Sequence, residues 1–289
     1  MIKVTFIGLG IMGSRMAKNL LKHQIEFTVF NRSPEAAKPL QEMGASIAAT
    51  AQKAVEGGDI VFTMLSTPKV VESVAMGENG FLQKMKKNAL WVDCSTVNPS
   101  FTNRALKAAQ NQGIRFIAAP VAGTKPHAEN AELVFFVGGE KANLDEIAPF
   151  LAMMGKKTMF IGEEVDKGIS FKMLVNSMLA QSMLIFSETV VFGEKMGLSR
   201  DFLLKVLPNL VVSAPFTKAK VEMIKSEDYE VQFPLEWMHK DLQLVTQTAY
   251  ELNHPMYLAN LSKELYANAN KSGLGRMDFA AIHEFMSKQ

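Results

Sequence analysis

Ile2-Lys3-Val4-Thr5-Phe6-Ile7-Gly8-Leu9-Gly10-Ile11-Met12-Gly13-Ser14-Arg15-Met16-Ala17 is the stretch that decides the fold of this chain. Val4 to Ile7 is an apolar run and reads as a buried strand. It feeds directly into G-x-G-x-x-G. Apolar residues at helical spacing follow (Met12, Met16, Leu20, Leu21), and Glu26 to Phe30 reads as a second strand. Strand, glycine turn, helix and strand make the first βαβ unit of a dinucleotide-binding sheet. Each glycine has a physical reason. Gly8 permits the tight turn out of the strand. Gly10 has no Cβ, so a pyrophosphate can approach the backbone. Gly13 lets the helix pack close to the strand. The loop Gly8-Leu9-Gly10-Ile11-Met12-Gly13 then offers the unpaired N–H groups and partial positive charge of a helix N-terminus to the phosphates.

The end of the second strand selects the dinucleotide. NAD-selective sites usually carry Asp or Glu there, on the ribose hydroxyls. This chain carries Asn31-Arg32-Ser33. An acid would repel a 2′-phosphate, whereas a guanidinium binds it bidentately and stacks on adenine. The expected cofactor is NADP(H).

A chain of 289 residues is long enough for two domains and a large core. Its 48% hydrophobic and 21% charged content is ordinary for a globular protein. A net charge of +2, with Lys and Arg dispersed, gives no field for nucleic acid or an anionic membrane. Cys94 is the single cysteine, so there is no internal disulfide, and a reducing compartment is expected. It lies in the apolar run Leu90 to Cys94 and reads as a buried strand residue. The chain begins almost at once with a strand and shows no signal peptide, so the expected location is cytoplasmic. The histidines 23, 127, 239, 254 and 283 form no i, i+4 pair and neighbour no cysteine, so no metal site is expected.

Up to about residue 163, short apolar runs alternate with helical segments. Strands are expected at Gly44 to Ile47, Ile60 to Leu65, Leu90 to Cys94, Phe116 to Ala118, Leu133 to Val137 and Thr158 to Ile161. Repeated βα units argue for a mostly parallel, doubly wound sheet. Residues 1–163 are therefore read as a Rossmann domain. Beyond Val165 strand signals nearly vanish, and residues 164–289 read as an all-helical domain. Gly168 to Met196 is one long helical stretch, apolar nearly all round, and is expected to be a buried helix joining the domains. Lys172, Asn176, Gln181 and Glu188 interrupt it too often for a membrane span. Helices follow near 200–207, 216–225, 237–252, 256–272 and 279–286. So much apolar surface in a helical domain suggests a subunit interface.

Lys172 is a cation in that apolar helix. Burial disfavours the charged form of a lysine, so such a residue can exchange a proton near neutral pH. Asn176 is four residues on, one turn away on the same face, and Gly168 one turn before leaves room there. Such a face could meet a carbonyl oxygen. A snorkelling lysine near a helix start explains the residue equally well, and the residues alone leave both open. Polar clusters also follow two strands, Asp93-Cys94-Ser95-Thr96 and Pro120-Val121-Ala122-Gly123-Thr124, where doubly wound folds put their ligands. Small residues in the second expose backbone N–H groups that suit a carboxylate. Lys240-Asp241 either serves the site or is a solvated pair near a helix start.

Together these stretches resemble the β-hydroxyacid dehydrogenase family over essentially the whole chain. The family opening G-L-G-x-M-G-x-x-M-A-x-N-L matches residues 8–20. D-x-S-T matches Asp93 to Thr96, and A-P-V-x-G matches Ala119 to Gly123. K-x-x-x-N matches Lys172 to Asn176, and K-D-L matches Lys240 to Leu242. The resemblance implies Lys172 as general acid in reduction and base in oxidation, with Asn176 orienting substrate. It places Thr96 and Lys240 by the nicotinamide half of the cofactor, and Met64 and Leu65 near it. Ala122, Gly123 and Thr124 would cradle the substrate carboxylate, and Asp241 would close the pocket. A homodimer or homotetramer through the helical domain is implied as well.

Residues 123–134 look like the glyoxylate and succinic semialdehyde reductase branch, whose segment runs G-S-K-x-P-A-E-x-G-x-L. Phe233, seven residues before Lys240, also looks like that branch, where it lines the pocket. Two positions depart from it: the branch serine is Ala122 here, and the branch glycine after A-E-x is Ala131. The expected activity is NADPH-dependent reduction of small aldehyde acids. Rival readings are a 3-hydroxyisobutyrate-type dehydrogenase, which Arg32 disfavours, and imine reduction or a non-catalytic dinucleotide-binding scaffold, which Lys172 disfavours. A 6-phosphogluconate dehydrogenase would have a longer helical half and a histidine where Val175 stands.

Overall fold

The computed structural model describes residues 2–288. The chain divides into two compact units, one ending at Met173 and one beginning at Leu174.

The first unit is built on a nine-stranded sheet. Its strands are β1 (Lys3–Ile7), β2 (Glu26–Phe30), β3 (Ser46–Ile47), β4 (Ile60–Thr63), β5 (Leu90–Asp93), β6 (Arg115–Ala118), β7 (Val121–Ala122), β8 (Leu133–Gly138) and β9 (Gly155–Gly162). They run in the order β3-β2-β1-β4-β5-β6-β8-β7, and β9 lies against β8. From β3 to β6 all neighbours are parallel. β8 runs antiparallel to β6 and β7. The sheet is covered by α1 (Gly13–Leu21), α2 (Lys38–Glu42), α3 (Ala51–Val55), α4 (Pro68–Met76), α5 (Pro99–Asn111), α6 (Lys125–Glu129) and α7 (Lys141–Met154).

Both faces of the sheet are buried, as a parallel sheet requires. Alternate residues serve opposite cores. Phe6, Phe62 and Val92 pack with Met16, Leu20 and Phe150 on one face. Ile7, Val61 and Trp91 pack with Phe101 and Phe116 on the other. Cys94 is fully buried just past β5. β4 stops at Thr63, short of the expected Leu65, because Met64 and Leu65 turn to meet the glycine loop. β7 is too short to show in the sequence.

The helical unit follows from α8 (Lys167–Lys195), with α9 (Arg200–Val206), α10 (Val221–Ser226), α11 (Leu235–Glu251), α12 (Tyr257–Ala269) and α13 (Ile282–Ser287). α8 is 29 residues long and begins in the first unit, where Ile169 joins the core. Gly168 does not leave room, contrary to the sequence reading: a Cβ there would sit 2.4 Å from Phe136 O. Its role is to let α8 cross tightly against β8, where Gly138 is equally bare: a Cβ there would sit 2.7 Å from Gly168 N.

Within the helical unit α8 contributes Met183, Phe186 and Val190 to a core with Met238, Leu242, Tyr266 and Phe279. The helix is apolar all round but not buried all round, for Leu174, Met178, Ile185 and Phe192 are 58–71% exposed. The polar interruptions also do not exclude a span by themselves, since α8 is long and apolar enough to cross a membrane, with half its most apolar window buried. Composition cannot tell a core helix from a spanning one. Packing can.

Candidate active site

The glycine loop has the geometry its sequence required. Gly8 takes φ +99°, and a Cβ on it would lie 2.4 Å from Met64 O. A Cβ on Gly13 would lie 2.0 Å from Gly8 O, so the third glycine lets α1 close on the end of β1. Around Gly10 nothing lies within 4 Å of a Cβ position. That open ground in front of a helix N-terminus fits a pyrophosphate. Asn31 shapes the loop from the end of β2: its Oδ1 accepts from Leu9 N at 2.9 Å, and its Nδ2 donates to Ser33 O at 3.0 Å. Arg32, between them, is exposed. No acidic side chain stands among residues 31–33.

At the ends of β4 and β5 a buried polar chain sets the next two loops. Trp91 Nε1 donates to Thr63 Oγ1 at 2.8 Å, and Thr63 Oγ1 donates to Asp93 Oδ1 at 2.8 Å. Ser95 N donates to the same oxygen, and Leu65 N donates to Ser95 Oγ at 2.9 Å. Burial pushes the Asp93 carboxyl up to about 6, against the lowering effect of the Ser95 and Thr63 hydrogen bonds. Asp93 thereby holds Leu65 beside Gly8 and fixes the backbone leading into Thr96, which is half-buried. Both loops lie at carboxyl ends of parallel strands, where this architecture places ligands.

Ala122, Gly123 and Thr124 lead from β7 into α6. Gly123 has φ +129°, and a Cβ would meet Leu133 Cδ2 at 2.8 Å, so any other residue there would be strained. Thr124 N donates to His127 Nδ1 at 3.2 Å. An accepting Nδ1 puts the neutral ring's proton on Nε2. The Thr124 amide is therefore already engaged inside the turn. Ala131, where the branch has glycine, takes φ +56°.

On α8, Lys172 is 7% exposed and belongs to the first unit; Asn176, 2% exposed, belongs to the second. One helical turn separates them. Within the helical unit Asn176 Nδ2 donates to Asp241 Oδ2 at 2.5 Å. Lys240 Nζ pairs with Asp241 Oδ1 at 2.6 Å. Asp241 is 3% exposed, so this pair is not the solvated kind. Asn176 Oδ1 is buried with no hydrogen-bond partner in the protein. A buried acceptor left open calls for a ligand donor or water. Phe233 packs on Phe279, ring centroids 5.8 Å apart.

Residues 3–162 match the family model described as the NAD binding domain of 6-phosphogluconate dehydrogenase. Residues 167–286 match the model described as NAD-binding of NADP-dependent 3-hydroxyisobutyrate dehydrogenase. Glyoxylate/succinic semialdehyde reductase 2 of Arabidopsis thaliana, a chloroplastic protein, is 34% identical over 98% of this chain and 79% of its own. The chain belongs to the β-hydroxyacid dehydrogenase family. It is an NAD(P)-binding oxidoreductase of CH–OH or aldehyde groups. The 3-sulfolactaldehyde reductase of Escherichia coli (strain K12) is 32% identical, over 98% of this chain and 95% of its own. The solved 3-hydroxyisobutyrate dehydrogenase of Mycobacterium tuberculosis with L-serine superposes with a TM-score of 0.88 at 26% identity, each chain covered to 99%.

For a member of this family, the first unit brings together the glycine loop, Met64, Leu65 and the polar chain leading to Thr96. The helical unit brings together Asn176, Lys240 and Asp241. Sequence reasoning missed Thr63 and Trp91 as supports of Asp93, because they sit 30 and two residues away and read as ordinary strand positions. The polar Thr63 inside an otherwise apolar strand was the available signal. Among the described residues no group of His, Cys, Asp or Glu suits a metal ion.

Proposed function

We propose that this enzyme reduces small aldehyde acids with NADPH, taking succinic semialdehyde to 4-hydroxybutyrate and glyoxylate to glycolate. The observation that carries the reading is Lys172, a lysine only 7% exposed on an apolar helix, one turn from an asparagine with an open acceptor. When bound, the reduced nicotinamide supplies a hydride to the carbonyl carbon. Lys172 Nζ gives the proton to the carbonyl oxygen, and Asn176 Oδ1 accepts from the hydroxyl that forms. Asp241 holds the Asn176 amide so that this oxygen is the free one. Thr96 and Lys240 serve the nicotinamide end. The Ala122–Thr124 segment takes the substrate carboxylate, and Phe233 is the candidate substrate contact supplied by the helical unit. The likeness of residues 123–134 to the aldehyde-acid branch, and the plant reductase among the relatives, favour this substrate class.

The cofactor choice rests on Arg32. With Asn31 engaged in the turn, Arg32 is the exposed cation beyond β2, and it suits a 2′-phosphate. The test is oxidation of NADPH and of NADH with both aldehydes, in wild type and Arg32→Ala. Turnover should favour NADPH, and the substitution should raise KM for NADPH by about tenfold or more, the loss of one bidentate charged contact. Turnover confined to 3-hydroxy acids would transfer the assignment to the 3-hydroxyisobutyrate type.

The exposed α8 residues Met178, Ile185 and Phe192 repeat every seven positions, with Leu174 one turn before Met178. Such a stripe suits a helix–helix seam. A second copy of the chain is the proposed occupant. Light scattering of the intact protein should therefore give a dimer or a tetramer, and a monomer at micromolar concentration would remove the proposal.

A further inference from the structure

α1 and α6 carry the two ligand segments of the first unit, and their contact is polar where it is deepest. Asn19, on α1, is 3% exposed. Its Nδ2 donates to Ala128 O on α6 at 2.7 Å, and Ala128 is fully buried. Its Oδ1 accepts from Lys22 Nζ at 2.7 Å. A lysine only donates and a carbonyl only accepts, so the amide has one possible orientation. Beside it, Arg15 reaches both ways. Nη1 donates to Ile11 O in the glycine loop, and Nε pairs with Glu129 on α6, each at 2.7 Å.

α6 has only five residues and cannot hold itself as an isolated helix. The chain after it passes through Ala131 at φ +56°, a region costly to a residue with a Cβ. The segment is thus short, ends in strain, and is tied by its last turn to the helix that begins at Gly13. We propose that Asn19 is a positioning residue: it carries the Ala122–Thr124 segment on the dinucleotide helix and so sets the affinity for substrate. The inference rests on the reading that this segment takes the substrate carboxylate. Neither Asn19 nor Ala128 touches the reacting atoms; the bond between them fixes where the segment stands relative to the glycine loop.

The test uses the intact enzyme and Asn19→Leu, which keeps the branched shape of the side chain and removes the donor. Hydrogen exchange at residues 121–132 should quicken in the variant. NADPH affinity, read by fluorescence, should stay at the wild-type value. KM for the aldehyde acid should rise by about tenfold with kcat nearly unchanged, as expected when a buried carbonyl loses its partner and the segment shifts. Asn19→Gln, which keeps a donor on a longer arm, should recover part of the KM. Faster exchange with an unaltered KM would overturn the positioning role. Unaltered exchange would overturn the linkage itself. An enzyme that turns over neither aldehyde would refute the substrate class alone, because exchange and the KM for whichever 3-hydroxy acid is oxidised would still decide the inference.

Discussion

Lys172→Ala is expected to lower kcat for aldehyde reduction by about a hundredfold to ten-thousandfold, the usual worth of a positioned general acid, with NADPH still bound. α8 presents apolar residues on most sides, and Lys172 stands in it 7% exposed. Lysine is among the side chains least often buried. One turn on, Asn176 is held through Nδ2 by Asp241, which leaves Oδ1 open. A donor and an acceptor one turn apart match the two needs of a carbonyl becoming an alcohol. Lys172→Arg should not rescue, since a guanidinium does not give up its proton near neutral pH. The measurement is steady-state kinetics beside fluorescence titration of NADPH. Turnover that survives Lys172→Ala would end the proton-donor assignment.

The largest effect on stability is expected at Asp278. This carboxylate is fully buried in the helical unit and faces Lys220, 3% exposed, whose Nζ lies 2.8 Å from Oδ1. Ala280 N donates to Oδ1 at 3.0 Å; Gln232 N and Phe233 N donate to Oδ2 at 3.2 and 3.0 Å. Lys220 Nζ also sits 4.8 Å from the centre of the Phe279 ring. Asp278→Ala would leave a buried cation unpaired and three amides without their acceptor. Breaking a buried pair costs about 3–5 kcal/mol, and the orphaned amides add to it. Lys220→Met should cost less, because Asp278 would keep its three amide donors. Urea unfolding of the two variants reads the order directly. An Asp278→Ala variant within about 1 kcal/mol of wild type, less than one orphaned amide costs, would show that water enters and replaces the contacts.

Those two residues also show where the sequence stopped being readable. The glycine loop could be read because each requirement is a property of one position: a turn, a close approach, a bare crossing. Gly8 meets the first and Gly13 the third, and the ground around Gly10 is open. The strands could be read because a sheet covered on both faces needs apolar runs. Lys220 and Asp278 lie 58 residues apart, and each looks like an ordinary surface charge beside its sequence neighbours. The bond from Asn19 to Ala128 spans 109 residues and ends on a backbone carbonyl, which no side chain announces. Gly168 was read wrongly for the same reason, since what it crosses is set by β8 and not by its own helix. The stripe on α8 was hidden because an all-apolar helix does not say which side the rest of the chain leaves bare.

The two units are joined by uninterrupted helix, with no linker between them. A protease needs an extended, yielding segment, and the backbone at the division offers none. A half taken from a relative and joined at 173/174 would keep the backbone of α8 continuous, but it would set the side chains of each half-helix against a core they did not evolve with. Recombination between paralogues would have to respect the whole 29-residue helix as a single heritable piece, with Lys172 and Asn176 travelling together.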